Sequence, residues 1–196
     1  MPIYSAFLRA VNVGGRFVTM NDLKSLFSDL GFDDVDTFIQ SGNVRFRTKE
    51  RRRGGVVSLI EGRLEERFGY PIPAFLRTDS ELRAIAEYEP FDDQPGAATS
   101  ILYVAFLHSP LDDIRKGLLM EQVTDIDQLA VVDNTIYWRR NPDLGASRIS
   151  SAKLERLLNV PTTVRNMTTV RGMIDRYCRT TNPIVLSPSR VSRRHA

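Results

Sequence analysis

The sequence predicts an α+β fold made of two ferredoxin-like βαββαβ units, each followed by a further helix. Short runs rich in β-branched and aromatic residues alternate with segments whose apolar residues recur at helical spacing. This order occurs twice along the 196 residues, and the turns Ser41-Gly42 and Asp133-Asn134 each join two predicted strands. The halves show no convincing residue-level identity, so a single mixed α+β domain is the alternative.

The first half carries local signals for three helices. Thr19 can cap the first helix and Gly31 can end it, while Gly69 can end the second. Thr78 with Glu81 forms the capping-box signature of a third helix. Strands are expected at 3–9, 35–40, 43–47 and 72–77, and inward helix positions at Met20, Leu23, Leu26, Phe27, Leu30, Val57, Ile60, Leu64 and Phe68.

The second half repeats this order. Ser109-Pro110 is expected to open a helix, and Ser150 or Ser151 can cap the next one. The last helix is expected to begin near Met167. Strands are expected at 100–107, 129–132, 135–139 and 162–165, and inward helix positions at Ile114, Leu118, Leu119, Leu154, Leu157, Leu158, Val170, Met173, Ile174 and Tyr177.

The charge distribution separates a body from a tail. We expect residues 1–88 to form the first unit, residues 99–180 the second, and residues 181–196 a flexible, disordered basic tail. The tail contains three arginines and no acidic residue, so the rest of the chain has 24 basic and 24 acidic residues. Domains that bind nucleic acid through phosphate contacts are usually basic, so we expect no nucleic-acid partner.

Composition also indicates the compartment and the absence of metal. Cys178 is the only cysteine, which excludes an intrachain disulfide and favours a reducing compartment. No apolar run approaches the roughly 20 residues that span a bilayer, and the start of the chain is not typical of a secretory signal. We therefore expect a cytoplasmic protein without membrane association. His108 and His195 are the only histidines, so we expect no metal site and no cofactor.

Two polar segments should meet at one end of the first sheet. One is the loop 9–15 after the first strand, and the other is the turn 40–43. The ferredoxin-like strand order four-one-three-two places both segments at the same end of the sheet. This end is a candidate pocket for an anion or a polar group, although glycines for positive φ and turn-capping side chains explain the composition more simply. The residues expected to face each other are Asn12, Gly14, Gly15, Gln40, Ser41 and Asn43.

Four segments together resemble a known family. They are residues 8–15 (LRAVNVGG), 37–46 (TFIQSGNVRF), 145–150 (GASRIS) and 163–170 (TVRNMTTV). The set resembles the bacterial family called domain of unknown function 1697, over about residues 3–175. The resemblance implies a compact α+β protein of two ferredoxin-like parts, without an established activity. Arg148 stands where the family has Lys, and Met167 replaces its usual Trp, which removes an aromatic platform.

The remaining candidate ligand-binding residues are basic or amide side chains. They are Arg9, Arg148, Arg165 and Asn166. Arg165-Asn166 ends the last predicted strand, so Asn166 can also be the cap of the following helix. Arg165 could bind a ligand, or it could tie the two halves together through hydrogen bonds to carbonyl groups, and the sequence favours neither.

Candidates for catalysis are few, so the sequence leaves open whether the protein is an enzyme. A capping or solvent-facing role explains His108, beside Ser109-Pro110, more simply than that of a general base. Cys178 lies between two arginines, which could lower its pKa, but a partly buried inert thiol is the simpler interpretation. The Ser150-x-x-Lys153 pattern lacks the other motifs of acyl enzymes, and a helix cap explains it.

Three functions are compatible with these observations. The leading hypothesis is a module that binds a small anionic metabolite or nucleotide between its two halves. A second is a protein–protein interaction or oligomerisation module without catalysis. The strand faces of Phe7, Phe38 and Phe75 could pack against such a partner or against the second half. A third is single-stranded nucleic-acid binding, but Phe46 is expected to point into the helix-covered core rather than outward.

Overall fold

The protein forms two four-stranded antiparallel sheets with helices, as the sequence predicts. Its residues 1–9, 11, 17–91 and 99–178 are described by a computed structural model. The first unit contains β1 (Ile3–Leu8), α1 (Met20–Asp29), β2 (Asp33–Phe38), β3 (Asn43–Arg47), α2 (Arg53–Phe68), β4 (Ala74–Thr78) and α3 (Asp79–Glu87). The second contains β5 (Ile101–Leu107), α4 (Asp113–Met120), β6 (Asp127–Val132), β7 (Thr135–Arg140), α5 (Ser151–Leu158), β8 (Thr162–Asn166) and α6 (Met167–Tyr177).

The strand order confirms the ferredoxin-like arrangement in both units. The sheets run β2-β3-β1-β4 and β6-β7-β5-β8. In each sheet the first strand of the unit lies in the middle, between the third and the fourth. Three segments therefore lie at the same end of the first sheet: the exit of β1, the turn between β2 and β3, and the start of β4. The second sheet repeats this placement.

Each sheet buries one face beneath its own pair of helices. In the first unit Phe46 is fully buried beneath α1 and α2, with Phe27 and Phe32 around its ring at centroid distances of 5.3 and 4.5 Å. Its side chain therefore points into the helix-covered core, as expected. In the second unit Trp138 packs in the corresponding core and its indole N–H donates to the buried carboxylate of Asp127 at 2.8 Å.

The opposite faces of the two sheets pack against each other. Phe7 of β1 and Phe106 of β5 are both fully buried, with ring centroids 4.5 Å apart. α6 extends to the first sheet, where the Tyr177 ring lies against Phe38, and the C-cap residue of α3, Tyr88, lies against Tyr137 of the second. The strand face that carries Phe7 and Phe75 is thus covered by the other half of the same chain. The buried residues between the two sheets form a third core, after the helix-covered core of each unit, and this third core joins the two units.

Two helix expectations in the second unit are wrong. Ser109 does not cap α4, because the side chain of Asp112 accepts the hydrogen bond from Arg115 N–H and starts the helix later. This shift turns Ile114 outward, where it is 77% exposed, and the buried apolar residues are Leu111 and Leu119. The caps at Thr19, Thr78 and Ser150 are confirmed.

Other expectations stay predictions. The basic tail 181–196 lies outside the described residues, as does most of the connector between the units. The boundaries at 88 and 99 are likewise a prediction, since the two units share a core. Within the part of the chain that the structure describes, no helix combines the length and apolarity needed to cross a bilayer.

Candidate functional site

The two units meet at two junctions that repeat each other. Phe7 pairs with Asn43 and Phe75 in the first sheet, and Phe106 pairs with Thr135 and Thr163 in the second. By the same register, Arg77 near the end of β4 corresponds to Arg165 near the end of β8. Each arginine is buried and reaches the other unit. We refer to these places as the Arg165 junction and the Arg77 junction.

At the Arg165 junction, all five guanidinium N–H groups are used inside the protein. Nη2 donates to the carbonyls of Leu8 and Ser41, both at 2.8 Å, and Nε donates to Asn43 Oδ1 at 2.7 Å. Nη1 donates to Thr163 Oγ1 and to the carbonyl of Val164, at 2.8 and 2.9 Å. Arg165 therefore ties the β8 strand to the first unit, which is the structural role that the sequence left open beside ligand binding.

The residues around Arg165 are also engaged. Asn43 Nδ2 donates to Phe38 O and to Ser41 Oγ, at 3.1 and 2.7 Å, so its amide is held from both ends. Arg9 forms a 2.6 Å ion pair with Glu155 of α5. Burial lowers the pKa of Arg165 to about 10, so the guanidinium remains charged at neutral pH.

The structure places the other predicted site residues in three locations. Gln40 lies exposed beside Ser41 in the β2–β3 turn. Asn166 is the N-cap of α6, with Oδ1 accepting from Thr168 N–H at 2.9 Å, and Arg148 lies at a separate cleft of the second unit. Asn12, Gly14 and Gly15 lie outside the described residues. The structure thus brings together Ser41, Asn43 and Arg165, while the side chain of Arg9 pairs with Glu155.

At the Arg77 junction, a similar arginine has fewer partners. The residue is 3% exposed. Arg77 Nη1 donates to the carbonyl of Leu76 at 2.9 Å and Nη2 to that of Asn134 at 3.0 Å. Its buried Nε has no hydrogen-bond partner among the described residues. Burial lowers the pKa of Arg77 to about 10, so this partly unused guanidinium is also a cation at neutral pH.

Two aligned positions explain why Arg77 lacks side-chain acceptors. The position that Asn43 occupies in β3 is taken by Thr135 in β7, which is shorter and has no amide oxygen to offer to Nε. The position that Thr163 occupies in β8 is taken by Phe75 in β4, which has no hydroxyl to accept from Nη1. Arg77 therefore keeps a backbone bond to the turn of the opposite unit but lacks both side-chain acceptors.

A second difference lies at the exit of the central strand. His108 follows β5 where Arg9 follows β1, and each faces a glutamate of the opposite unit's helix. His108 Nε2 lies 3.3 Å from Oε1 of Glu61, which also accepts Ala74 N–H at 2.8 Å. The imidazole packs on Phe75 with ring centroids 4.5 Å apart. The permanent cation of one junction is thus replaced by a group that can exchange a proton.

The Arg77 junction opens into a cleft of about 390 Å³ between the units. The first two turns of α2 form one wall, and the N-cap residue Arg52 provides no side-chain hydrogen bond to the helix. Arg53 lies at the mouth, where Nη2 donates to both carboxylate oxygens of Glu81 at 2.8 Å. The lining residues are Arg53, Gly54, Val57, Ser58, Ala74, Phe75, Leu76, Arg77, Leu107, His108 and Asn134.

Other polar clusters already have structural partners. Ser150 Oγ accepts from Lys153 N–H at 3.2 Å, so the Ser-x-x-Lys pattern is a helix cap. Burial and nearby Asp79 raise the pKa of the Cys178 thiol despite the contact with Arg45, which is consistent with an inert cysteine. Among the described residues, no group of three or more His, Cys, Asp or Glu side chains is placed to hold a metal ion.

Sequence reasoning missed Arg77, Glu61 and Arg53. A signal for Arg77 was present, because Arg77-Thr78 and Arg165-Asn166 both place an arginine directly before the N-cap of the helix that follows the fourth strand. Nothing local marked Glu61, since its partner His108 lies in the other unit.

Comparison with known families identifies the chain's relatives. The model of the family described as "Protein of unknown function (DUF1697)" matches residues 1–137. The chain belongs to this family. The match ends within β7, so the resemblance of the segments at 145–150 and 163–170 lies beyond the matched residues.

A solved structure shares the fold. The conserved bacterial protein SP0830 from Streptococcus pneumoniae superimposes with a TM-score of 0.72 and is 20% identical, covering 90% of this chain and 98% of that chain. At this identity the likeness concerns the fold alone. A comparison with curated proteins gave no match.

Proposed function

We propose that the protein binds a small anionic metabolite or nucleotide between its two halves, at the Arg77 junction. The observation that carries the proposal is the buried guanidinium of Arg77, which makes two hydrogen bonds, both to backbone carbonyls, and lines an open cleft. Buried charges are usually paired or fully hydrogen-bonded because desolvation is costly. An anion in the cleft would lie beside this charge and offset it.

The Arg165 junction supplies an internal comparison. There the same type of side chain, at the equivalent strand position, donates five hydrogen bonds to protein acceptors. The fold can therefore satisfy a buried arginine at this position completely. At Arg77 it does so only in part, and the difference coincides with a cleft.

The walls of the cleft suit a ligand with an anionic end and an apolar body. Arg53 and Gly54, the first two residues of the 16-residue α2, line the cleft, and the helix dipole favours negative charge at this end. Glu50 already accepts the backbone N–H of the N-cap residue Arg52 at 2.7 Å. Val57, Phe75 and Leu107 line the apolar side. Pockets of this size and mixed lining are typical of small-molecule sites.

Calorimetric titration with inorganic phosphate and adenosine monophosphate tests the proposal. We expect R77M to weaken binding at least about tenfold, because each charge-assisted hydrogen bond is worth more than 1.4 kcal/mol. The matched control is R148M, which removes the same charge from the separate cleft and should bind as the wild type does.

Circular dichroism and thermal melts of each variant separate a binding defect from a folding defect. R53M provides a second test at the mouth of the cleft, on an arginine that is about 40% exposed. The proposal is wrong if neither probe binds below about 1 mM, or if folded R77M binds both probes as tightly as R148M does.

A further inference from the structure

We infer that the Arg77 junction hydrolyses phosphate monoesters, with His108 as the general acid. This inference rests on the proposed function, because it takes the bound anion to be the phosphoryl group of the substrate. Three residue differences separate the Arg77 junction from the Arg165 junction, at Phe75, Thr135 and His108. The first two leave guanidinium donors unused and the third supplies an exchangeable proton, and Phe75 and His108 line the same cleft.

The glutamate partner orients the imidazole. Nε2 lies 3.3 Å from Glu61 Oε1, so the carboxylate holds the ring with Nε2 directed towards it. Glu61 is itself fixed, since Oε1 also accepts the backbone N–H of Ala74. The other ring nitrogen, Nδ1, is then the one available to a ligand, and His108 lines the cleft beside Arg77. Glu61 is a positioning residue.

The corresponding pair at the other junction shows what a purely structural contact looks like. Arg9 and Glu155 form a 2.6 Å ion pair between the same elements of the opposite units. An arginine there holds the units together but does not transfer protons at neutral pH. If holding the units together were the only role of the position, His108 would be the weaker choice, because its charge depends on pH.

The reaction needs no further reactant than water. Arg77, Arg53 and the first-turn amides of α2 hold the phosphoryl oxygens, and charge accumulates on the leaving ester oxygen as its bond to phosphorus breaks. His108 Nδ1–H gives its proton to that oxygen, which leaves as an alcohol. Water forms the new bond to phosphorus, and the proton that it loses returns to Nδ1, so the products are alcohol and inorganic phosphate.

Hydrolysis of two substrates with different leaving groups tests the inference. Phenyl phosphate has a basic leaving oxygen that needs a proton, whereas 4-nitrophenyl phosphate has a leaving group that departs as an anion. We expect H108Q to lower kcat on phenyl phosphate about 100-fold or more, with a much smaller effect on 4-nitrophenyl phosphate. Binding of inorganic phosphate should persist in H108Q.

E61Q tests the positioning role and R148M is the matched control. E61Q removes the carboxylate that orients the imidazole, so it should lower kcat on phenyl phosphate more than on 4-nitrophenyl phosphate, while binding of inorganic phosphate persists. R148M should retain the wild-type kcat on both substrates. Equal loss of both substrates in H108Q, or an unchanged kcat on phenyl phosphate in E61Q, contradicts these roles.

The outcomes separate this inference from the proposed function. If phosphate binds through Arg77 but phenyl phosphate is not hydrolysed faster than in buffer, the hydrolase inference is wrong and the binding function stands. If phosphate does not bind, both are wrong. Full turnover by H108Q, purified in the same way as the wild type, would assign the activity to another group or a contaminant and also overturns the inference.

Discussion

Arg165 and Arg77 show how differently one residue type behaves at two equivalent positions. Both are buried and both remain charged at neutral pH. A guanidinium surrounded by five correctly placed acceptors replaces most of its hydration, whereas one with two acceptors does not. The acceptors include the carbonyls of the β2–β3 turn for Arg165 and of the β6–β7 turn for Arg77. The number of acceptors therefore decides how much each arginine stabilises the fold.

We predict that R165M lowers the free energy of unfolding by about 3 kcal/mol and R77M by only about 1 kcal/mol. The first substitution leaves several buried acceptors without donors, while the second also removes an under-satisfied charge. Urea denaturation followed by circular dichroism measures both values. Equal losses for the two variants would show that the hydrogen-bond inventory does not govern stability at these positions.

The sequence contained part of this picture at the residue scale. It placed Ser41 and Asn43 beside the exit of the first strand, because strand order brings those segments to one end of the sheet, and it offered Arg165 as a tie between the halves or a ligand-binding residue. It did not determine whether Arg165 serves a ligand or the fold, since that depends on how many acceptors lie within 3 Å. Glu61 and His108 meet only after the units pack, and no local pattern encodes that contact.

Secondary-structure elements follow their local signals closely. Thr19 with Asp22 and Thr78 with Glu81 form complete capping boxes, each within four consecutive residues. Such signals can be read from sequence because donor and acceptor are close along the chain. The start of α4 was misplaced because Ser109-Pro110 and Asp112 are both acceptable caps, and the choice depends on burying Leu111.

The close approach of α6 to the first sheet depends on a glycine. A Cβ on Gly172 would lie 2.9 Å from Cζ of Phe38, whereas a Cβ on Gly62 within α2 would meet nothing within 4 Å. Alanine raises helix propensity at both positions. Only at Gly172 does it also push against a packed ring.

We therefore predict opposite effects for the two alanine variants. G62A should raise the free energy of unfolding by about 0.5–1 kcal/mol, and G172A should lower it by about 1 kcal/mol. Thermal and urea unfolding of the two variants provide the measurement. A stabilising G172A would mean that Phe38 moves aside without loss of packing.

At the scale of the whole molecule, the third core makes the two units interdependent. Phe7 and Phe106 are completely buried only because the sheets face each other, and α3 and α6 each extend to the opposite sheet. The sequence predicted two units and assigned Phe7, Phe38 and Phe75 to the face away from the helices. It could not decide whether a partner protein or the other half of the chain covers this face, since an apolar surface does not specify what packs against it.

We predict that the two units unfold in one transition. F46A, in the core of the first unit, should lower the free energy of unfolding by about 3–5 kcal/mol. Trp138, the only tryptophan, lies in the second unit and should report the same shift in urea midpoint as circular dichroism does. Fluorescence that keeps the wild-type midpoint while circular dichroism changes would show that the units unfold separately.

The paired junctions also affect how this protein can diverge. The shared core and the five hydrogen bonds of Arg165 attach the two units to each other without any contribution from the cleft beside Arg77. Under the proposed function, the residues around Arg77 can therefore change with the ligand while this attachment stays intact.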